Sequence, residues 1–223
     1  MLYMNIGGKN LRLDLKENVV FPFSDPAWVG KILKTTISYL LIFTIPAVVG
    51  YQLAVIREAA NGEDETLPEF GPNFGNMWVK GCIVSLMICV LMFVPMGLFG
   101  TLAFGGAAVM QNNEAMALSW MVILALAFFA LCFVIGIMMP ALMLRYAMTD
   151  SVSSLFDLRA AFNDIKQGPG DYAMVVLFPI LASFVSTLVS ATGIGVILVL
   201  PLTVLTMIIQ GRLMGNYYRA YFQ

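Results

Sequence analysis

The stretch Trp78–Gly105 reads WVKGCIVSLMICVLMFVPMGLFGTLAFG, and beyond Lys80 it holds no charged side chain. A hydrocarbon core of about 30 Å is crossed by roughly 20 residues of apolar helix, so this run is long enough to span a bilayer. Ala117–Arg145, Tyr172–Ala191 and Ile194–Leu213 are also long and apolar. Backbone polar groups in lipid must be satisfied within the segment, which makes each of these a helix. The fold class that follows is all-α: a polytopic helical membrane bundle with four full spans.

Composition points the same way. Hydrophobic residues make up 60% of the chain and charged ones 11%, with a mean hydropathy of +0.88. Soluble domains carry about 45–50% apolar and about 25% charged residues. Lipid must therefore be the solvent for much of this surface. The first 24 residues are polar and mixed in charge, without the short apolar core and small-residue site of a cleavable leader. The chain is thus expected to keep its N-terminus. Cys82, Cys89 and Cys132 lie in apolar runs and read as buried hydrophobes.

A fifth apolar stretch, Thr35–Ile56, has Pro46 at its middle. Proline removes a backbone donor and clashes with the preceding turn. The stretch is either a Pro-broken re-entrant hairpin or one kinked span. Lys and Arg in short loops stay on the cytoplasmic side. If the stretch returns to its own side, all 12 Lys and Arg are cytoplasmic, in the N-terminal tail, the segments 57–80 and 145–170, and the C-terminal tail. If it crosses, the five positive charges of the N-terminal tail lie outside. Charge favours the hairpin, while apolar length suits a single span. Either way the loop at Gln111–Glu114 is external, and the expected location is the cytoplasmic (inner) membrane with both termini inside.

The organisation expected is one membrane domain over 1–223. It comprises a tail (1–26), the hairpin or kinked span (27–60), an acidic loop (61–77), two spans (78–147), a cytoplasmic amphipathic helix (148–170) and two further spans (171–217). In the amphipathic segment Leu155, Leu158, Phe162 and Ile165 fall at helical spacing, with Ser154 and Asp157 as a capping pair. Such a helix lies at the membrane surface or packs under the bundle. Leu11, Leu13 and Leu15 alternate with charged residues, which predicts a short strand or extended segment.

Two groups of motifs resemble the prokaryotic membrane family called domain of unknown function 4013. One is Phe21-Pro22-Phe23-Ser24-Asp25-Pro26-Ala27-Trp28, with Ile45-Pro46, Gly50-Tyr51, Arg57, Gly62-Glu63-Asp64 and Leu67-Pro68-Glu69-Phe70. The other is Arg145-Tyr146-Ala147, Ala161-Phe162 and the turn Pro169–Tyr172. The resemblance implies a helical membrane domain and supplies no substrate, reaction or catalytic residue.

No reaction is spelled out by the residues. With 0 His, the commonest metal ligand and general base is missing. No nucleophile has a recognisable base, and there is no phosphate loop. Basic patches with interleaved aromatics are absent, so nucleic acid is not an expected partner. Neither catalysis nor a cofactor is expected. Lys34, Arg57, Lys80 and Arg145 sit at span ends, where they reach headgroups. A coupled pump normally keeps an ionisable group near mid-membrane, so that class is disfavoured.

Two sets of candidate residues remain. Glu63, Asp64, Glu65, Leu67, Pro68, Glu69 and Phe70, with Leu155 and Phe162, form a candidate surface for docking a partner protein. Arg57 and Glu58 stand where they could pair with the acidic loop. Pro46, Gly97, Thr101, Gly105, Ser183, Ser186, Thr187 and Ser190 are candidates for close helix packing or a polar lining. Gly211 and Gly215 share that small-residue spacing. The expected function is a non-catalytic membrane subunit or scaffold of a larger assembly, with lipids and membrane proteins as partners. The alternative is a transporter, channel or lipid-handling protein for a neutral or amphipathic small molecule.

Overall fold

Asp14 sets the first helix: its side chain accepts from the backbone N–H of Lys16 at 2.9 Å and of Glu17 at 3.3 Å. The computed structural model describes residues 5–6, 9–10, 13–63, 66–110, 113–192 and 195–223. Two short strands, β1 (Asn5–Ile6) and β2 (Lys9–Asn10), pair antiparallel ahead of this cap. The extended segment expected over Leu11–Leu15 is corrected here. Leu11 and Arg12 lie outside the described residues, and Leu15 already begins α1 (Leu15–Ser24). Three alternating leucines are too few to outweigh an N-cap that satisfies two orphan donors.

The Pro46 region divides into α2 (Trp28–Leu40), a 3-10 turn (Ile42–Thr44) and α3 (Ile45–Asn61). Pro46 therefore stands in the first turn of α3, where its missing N–H is no loss, rather than at a kink inside one helix. Beyond α3 the chain returns to the start of α2. Asp25 accepts from the backbone N–H of Leu67 at 2.9 Å, and Lys31 bonds both Asp25 and the Leu67 carbonyl. The helices α2 and α3 thus form a hairpin. Gly62, at φ 78, ends α3 with the left-handed cap that glycine adopts freely.

Four long helices follow the acidic loop: α4 (Phe74–Val109), α5 (Glu114–Thr149), α7 (Pro169–Ser190) and α8 (Gly195–Phe222). The short α6 (Leu158–Gln167) precedes α7. Each of the four has the length and apolarity to cross a membrane. At 1.5 Å per residue even α7, with 22 residues, reaches about 33 Å. The protein is a multi-pass, all-α membrane protein. The last helix runs well past Leu213, so Arg212 is not a tail residue. It is buried inside α8, 3.5 Å from Glu17 and 3.6 Å from the centre of the Phe21 ring.

The described residues fall into two compact units, residues 1–84 with 140–223, and residues 85–139. In the first, α3 is buried along most of its length and packs on α8, which also packs on α7. Glycines permit the close approach. A Cβ on Gly215 would come within 2.5 Å of Ala59, and one on Gly50 within 1.8 Å of the Met77 carbonyl. In the second unit α4 and α5 meet where Gly106 lies against the Trp120 indole, whose N–H donates to the Leu102 carbonyl at 3.0 Å. Large apolar side chains stay exposed there, among them Phe93, Phe104, Phe129 and Phe133. This is how a lipid-facing surface reads.

Candidate functional site

Five ionisable side chains from three helix ends converge in the first unit. They are Arg57 and Glu58 in the last turns of α3, Glu63 just after it, Lys80 near the start of α4, and Asp150 immediately after α5. With Asn61, Asn73, Asn76 and Tyr146 they line a cleft of about 260 Å³.

Asp150 is the organising residue. Its backbone adopts φ 52, in the left-handed region that few residues other than glycine visit, although Asp and Asn tolerate it better than most. Its N–H closes α5 by donating to the Tyr146 carbonyl at 2.9 Å. A carboxylate here faces the negative pole of the helix dipole. Two cations offset that. Arg57 Nη2 and Lys80 Nζ each lie 2.7 Å from the same oxygen, Oδ1 of Asp150. Burial alone would push the Asp150 carboxyl up, but the hydrogen bonds from Arg57 and Lys80 outweigh it and hold the group below its ordinary value. Arg57 also donates to the Ala147 carbonyl from Nε at 2.8 Å, satisfying an acceptor left open at the end of α5.

Glu58 behaves oppositely. Burial pushes its carboxyl up, and the neighbouring charge of Glu63 adds to this against Lys31, so that it titrates at about 7. Lys31 is already engaged by Asp25 at 2.8 Å. The cleft thus carries both signs of charge: Arg57 and Lys80 pair with Asp150, while Glu58 and Glu63 pair with neither cation among the described residues.

Part of the expected docking surface is buried within the chain, and its described acidic residues are not. Leu67, Pro68 and Phe70 are buried; Leu67 and Phe70 share an apolar cluster with Tyr51, Ile32 and Met77. The loop docks onto its own hairpin, because burying these three side chains there removes them from water without a partner. Glu63 and Glu69 are exposed, and Asp64 and Glu65 lie outside the described residues. Arg57 turns to Asp150 rather than to the acidic loop, while Glu58 meets that loop through its carbonyl, which accepts from Glu63 N–H at 2.9 Å.

The amphipathic helix is also shorter than expected. Residues Val152–Phe156 form a 3-10 turn, and Asp157, not Ser154, caps α6 by accepting from Ala160 N–H at 2.9 Å. Leu155 lies in the turn before α6 and is fully buried, so it leaves the face shared by Leu158, Phe162 and Ile165, of which Leu158 and Phe162 are exposed. An Arg145–Asp164 ion pair at 2.7 Å and a hydrogen bond from the Tyr217 hydroxyl to the Asp164 carbonyl at 2.7 Å tie α6 to α5 and α8.

Of the packing candidates, Gly211 and Gly215 meet α3, as their spacing suggests. Gly97, Thr101 and Gly105 face outward with open space beside the two glycines, and the neighbouring Gly106 makes the contact instead. Ser183 and Thr187 are exposed, with Ser186 and Ser190 half-buried. The hydroxyls of Ser183, Thr187 and Ser190 bond carbonyls of their own helix at 2.7, 2.9 and 2.7 Å. They line no interior path within the described residues.

The family model described as "Protein of unknown function (DUF4013)" matches residues 35–194. The chain belongs to this family. No curated protein and no solved structure matches it. All the charged groups of the cleft fall within the family match, whereas Arg212 and the rest of α8 beyond residue 194 fall outside it. The signal for the cleft was present in the sequence. Arg57 closes one apolar run and Lys80 precedes the next, and Asp150 is the first acid after the α5 run. Nothing in the spacing joins them, because their separations along the chain are set by helix lengths.

Proposed function

We propose that this DUF4013 chain is a non-catalytic integral subunit or scaffold of a larger assembly in the cytoplasmic membrane, with both termini on the cytoplasmic side. The outward hydroxyl face of α7 is the observation that supports this most directly. Ser183 and Thr187 stand four residues apart among exposed Leu177, Ile180, Phe184 and Leu188, and their hydroxyls are already satisfied within the helix. Small residues at this spacing let a second helix approach closely. Nothing within the described residues fills that face. The α3–α8 contact at Gly215 is tightly packed, as a scaffold requires. Orientation rests on charge, since the polar connections at 57–80 and 145–170 carry Lys and Arg.

The test is recovery of stoichiometric partners by native mass spectrometry from the source membrane. Ser183→Leu with Thr187→Leu is expected to reduce that recovery about tenfold or more while leaving insertion intact. Ser183→Ala, Ser186→Ala and Thr187→Ala together are expected to leave it unchanged, since Ala preserves the close approach. A Leu variant that keeps its partners, or a protein recovered alone, would overturn the proposal.

A further inference from the structure

We propose that the cleft bounded by Arg57, Lys80, Asp150, Glu58 and Glu63 binds a zwitterion in which a phosphate is joined to a primary ammonium, as in the headgroup of phosphatidylethanolamine. The charge arrangement carries this. Both cations converge on a single oxygen of Asp150, at 2.7 Å each. Guanidinium has five N–H donors and ammonium three. Among the described residues Arg57 bonds Asp150 and the Ala147 carbonyl, and its side chain is 35% exposed. Lys80 keeps 22% of its side chain exposed. An incoming phosphate can therefore join both without displacing Asp150, and charge-assisted bonds of this kind are the strong ones.

Glu58 and Glu63 also line the cleft, and their carboxylates repel one another. Neither makes an ion pair or side-chain hydrogen bond among the described residues. A cation belongs there. A primary ammonium offers three donors to two carboxylates and the nearby amides of Asn61, Asn73 and Asn76; a quaternary ammonium offers none.

Position and size agree with a headgroup. The apolar run of α4 starts after Lys80 and that of α5 ends at Arg145, so the cleft lies where hydrocarbon gives way to polar headgroups. Its volume of about 260 Å³ falls below the range of about 300–1,000 Å³ typical for drug-sized ligands. That suits a headgroup whose acyl chains remain outside.

The inference stands apart from the assembly reading and is tested on the full chain in detergent, by native mass spectrometry with phosphatidylethanolamine, phosphatidylcholine and phosphatidylglycerol at equal mole fraction. Phosphatidylethanolamine is expected to be retained about tenfold over each of the others. Glu58→Gln with Glu63→Gln removes repulsion and leaves the Arg57 cap intact, so it should fold. It is expected to abolish the preference over phosphatidylglycerol. Equal retention of the three lipids by the native chain, or an unchanged preference in the double variant, would overturn the proposal. Soluble glycerophosphoethanolamine added in excess distinguishes the source: continued lipid retention marks a bilayer lipid as the ligand, and displacement marks a free zwitterion.

Discussion

Asp150 combines a left-handed backbone, an unfavourable place at a helix C-terminus and two cations on one oxygen. These make separable demands. Asp150→Asn keeps the backbone preference and gives up the ion pairs, which are half exposed, so its cost is expected to be about 1 kcal/mol or less. Asp150→Val loses the ion pairs too and forces a β-branched residue to positive φ, and should cost markedly more. Thermal unfolding in detergent measures the difference, and equal costs would mean that the backbone at 150 relaxes freely.

Glu58 brings a pH dependence whose sign follows from its raised value of about 7 against 4.5 in the ordinary case. Between those values the folded chain binds a proton that the unfolded chain has released, so stability falls as pH rises through that window and levels off above it. The charged groups around it in the cleft are Glu63, Arg57, Lys80 and Asp150, with Lys31 nearby. Asp150 acts below this range, its contribution being lost only as pH falls through its depressed value. Glu58→Gln should therefore raise the unfolding temperature at pH 8 and leave it nearly unchanged at pH 5. The same shift at both values would show that Glu58 is not the titrating group.

At the scale of elements, the hairpin of α2 and α3 and its contacts with α4 and α8 depend on particular glycines. A Cβ on Gly81 would lie 1.6 Å from the Pro46 carbonyl and one on Gly50 1.8 Å from that of Met77, both backbone atoms that cannot swing aside. Gly81→Ala is expected to destabilise the chain by about 1–3 kcal/mol, as overpacking does. Gly97→Ala, which meets open space, should be neutral or slightly stabilising through helix propensity. Denaturation of both variants under one condition compares them, and equal effects would refute the close crossing.

The same elements mark what was legible beforehand. Long unbroken apolar runs announce α4, α5, α7 and α8, because span length is a local property of sequence. The break before Pro46 was visible, yet its placement at Leu41–Thr44 was not, since a proline accepts either a kink or a helix start. Small-residue spacing identified Gly211 and Gly215 but equally suggested Gly97 and Gly105, because spacing records which faces can pack and not which do. Leu67, Pro68 and Phe70 looked like anchors for another protein for the same reason. Their exposure depends on tertiary contacts with Tyr51 and Ile32 that no local pattern encodes.

For the whole molecule, charge asymmetry and apolar surface support one picture. The four long helices have the length and apolarity to cross a membrane; in the proposed orientation α2 and α3 enter and return on one side, and the connections carrying the cleft and α6 lie in the cytoplasm. The exposed apolar face of α2, with Val29, Leu33, Ile37 and Leu40 at helical spacing, leads through exposed Leu41 to an exposed Phe43 at the turn. Lipid contact accounts for such a face without a protein partner. The surfaces proposed are thus distinct, the cleft for a headgroup and the outer face of α7 for a neighbouring helix.

The most direct measurement is cysteine accessibility across the membrane, with Cys82, Cys89 and Cys132 replaced and single cysteines placed at Phe43, Glu63, Asn113, Asp157 and Gln223. Cysteines at Glu63, Asp157 and Gln223 are expected to react with an impermeant reagent only from the cytoplasmic side, one at Asn113 only from outside, and one at Phe43 from neither. Labelling at Phe43 from outside would contradict this, for α2 and α3 would then cross the membrane rather than return.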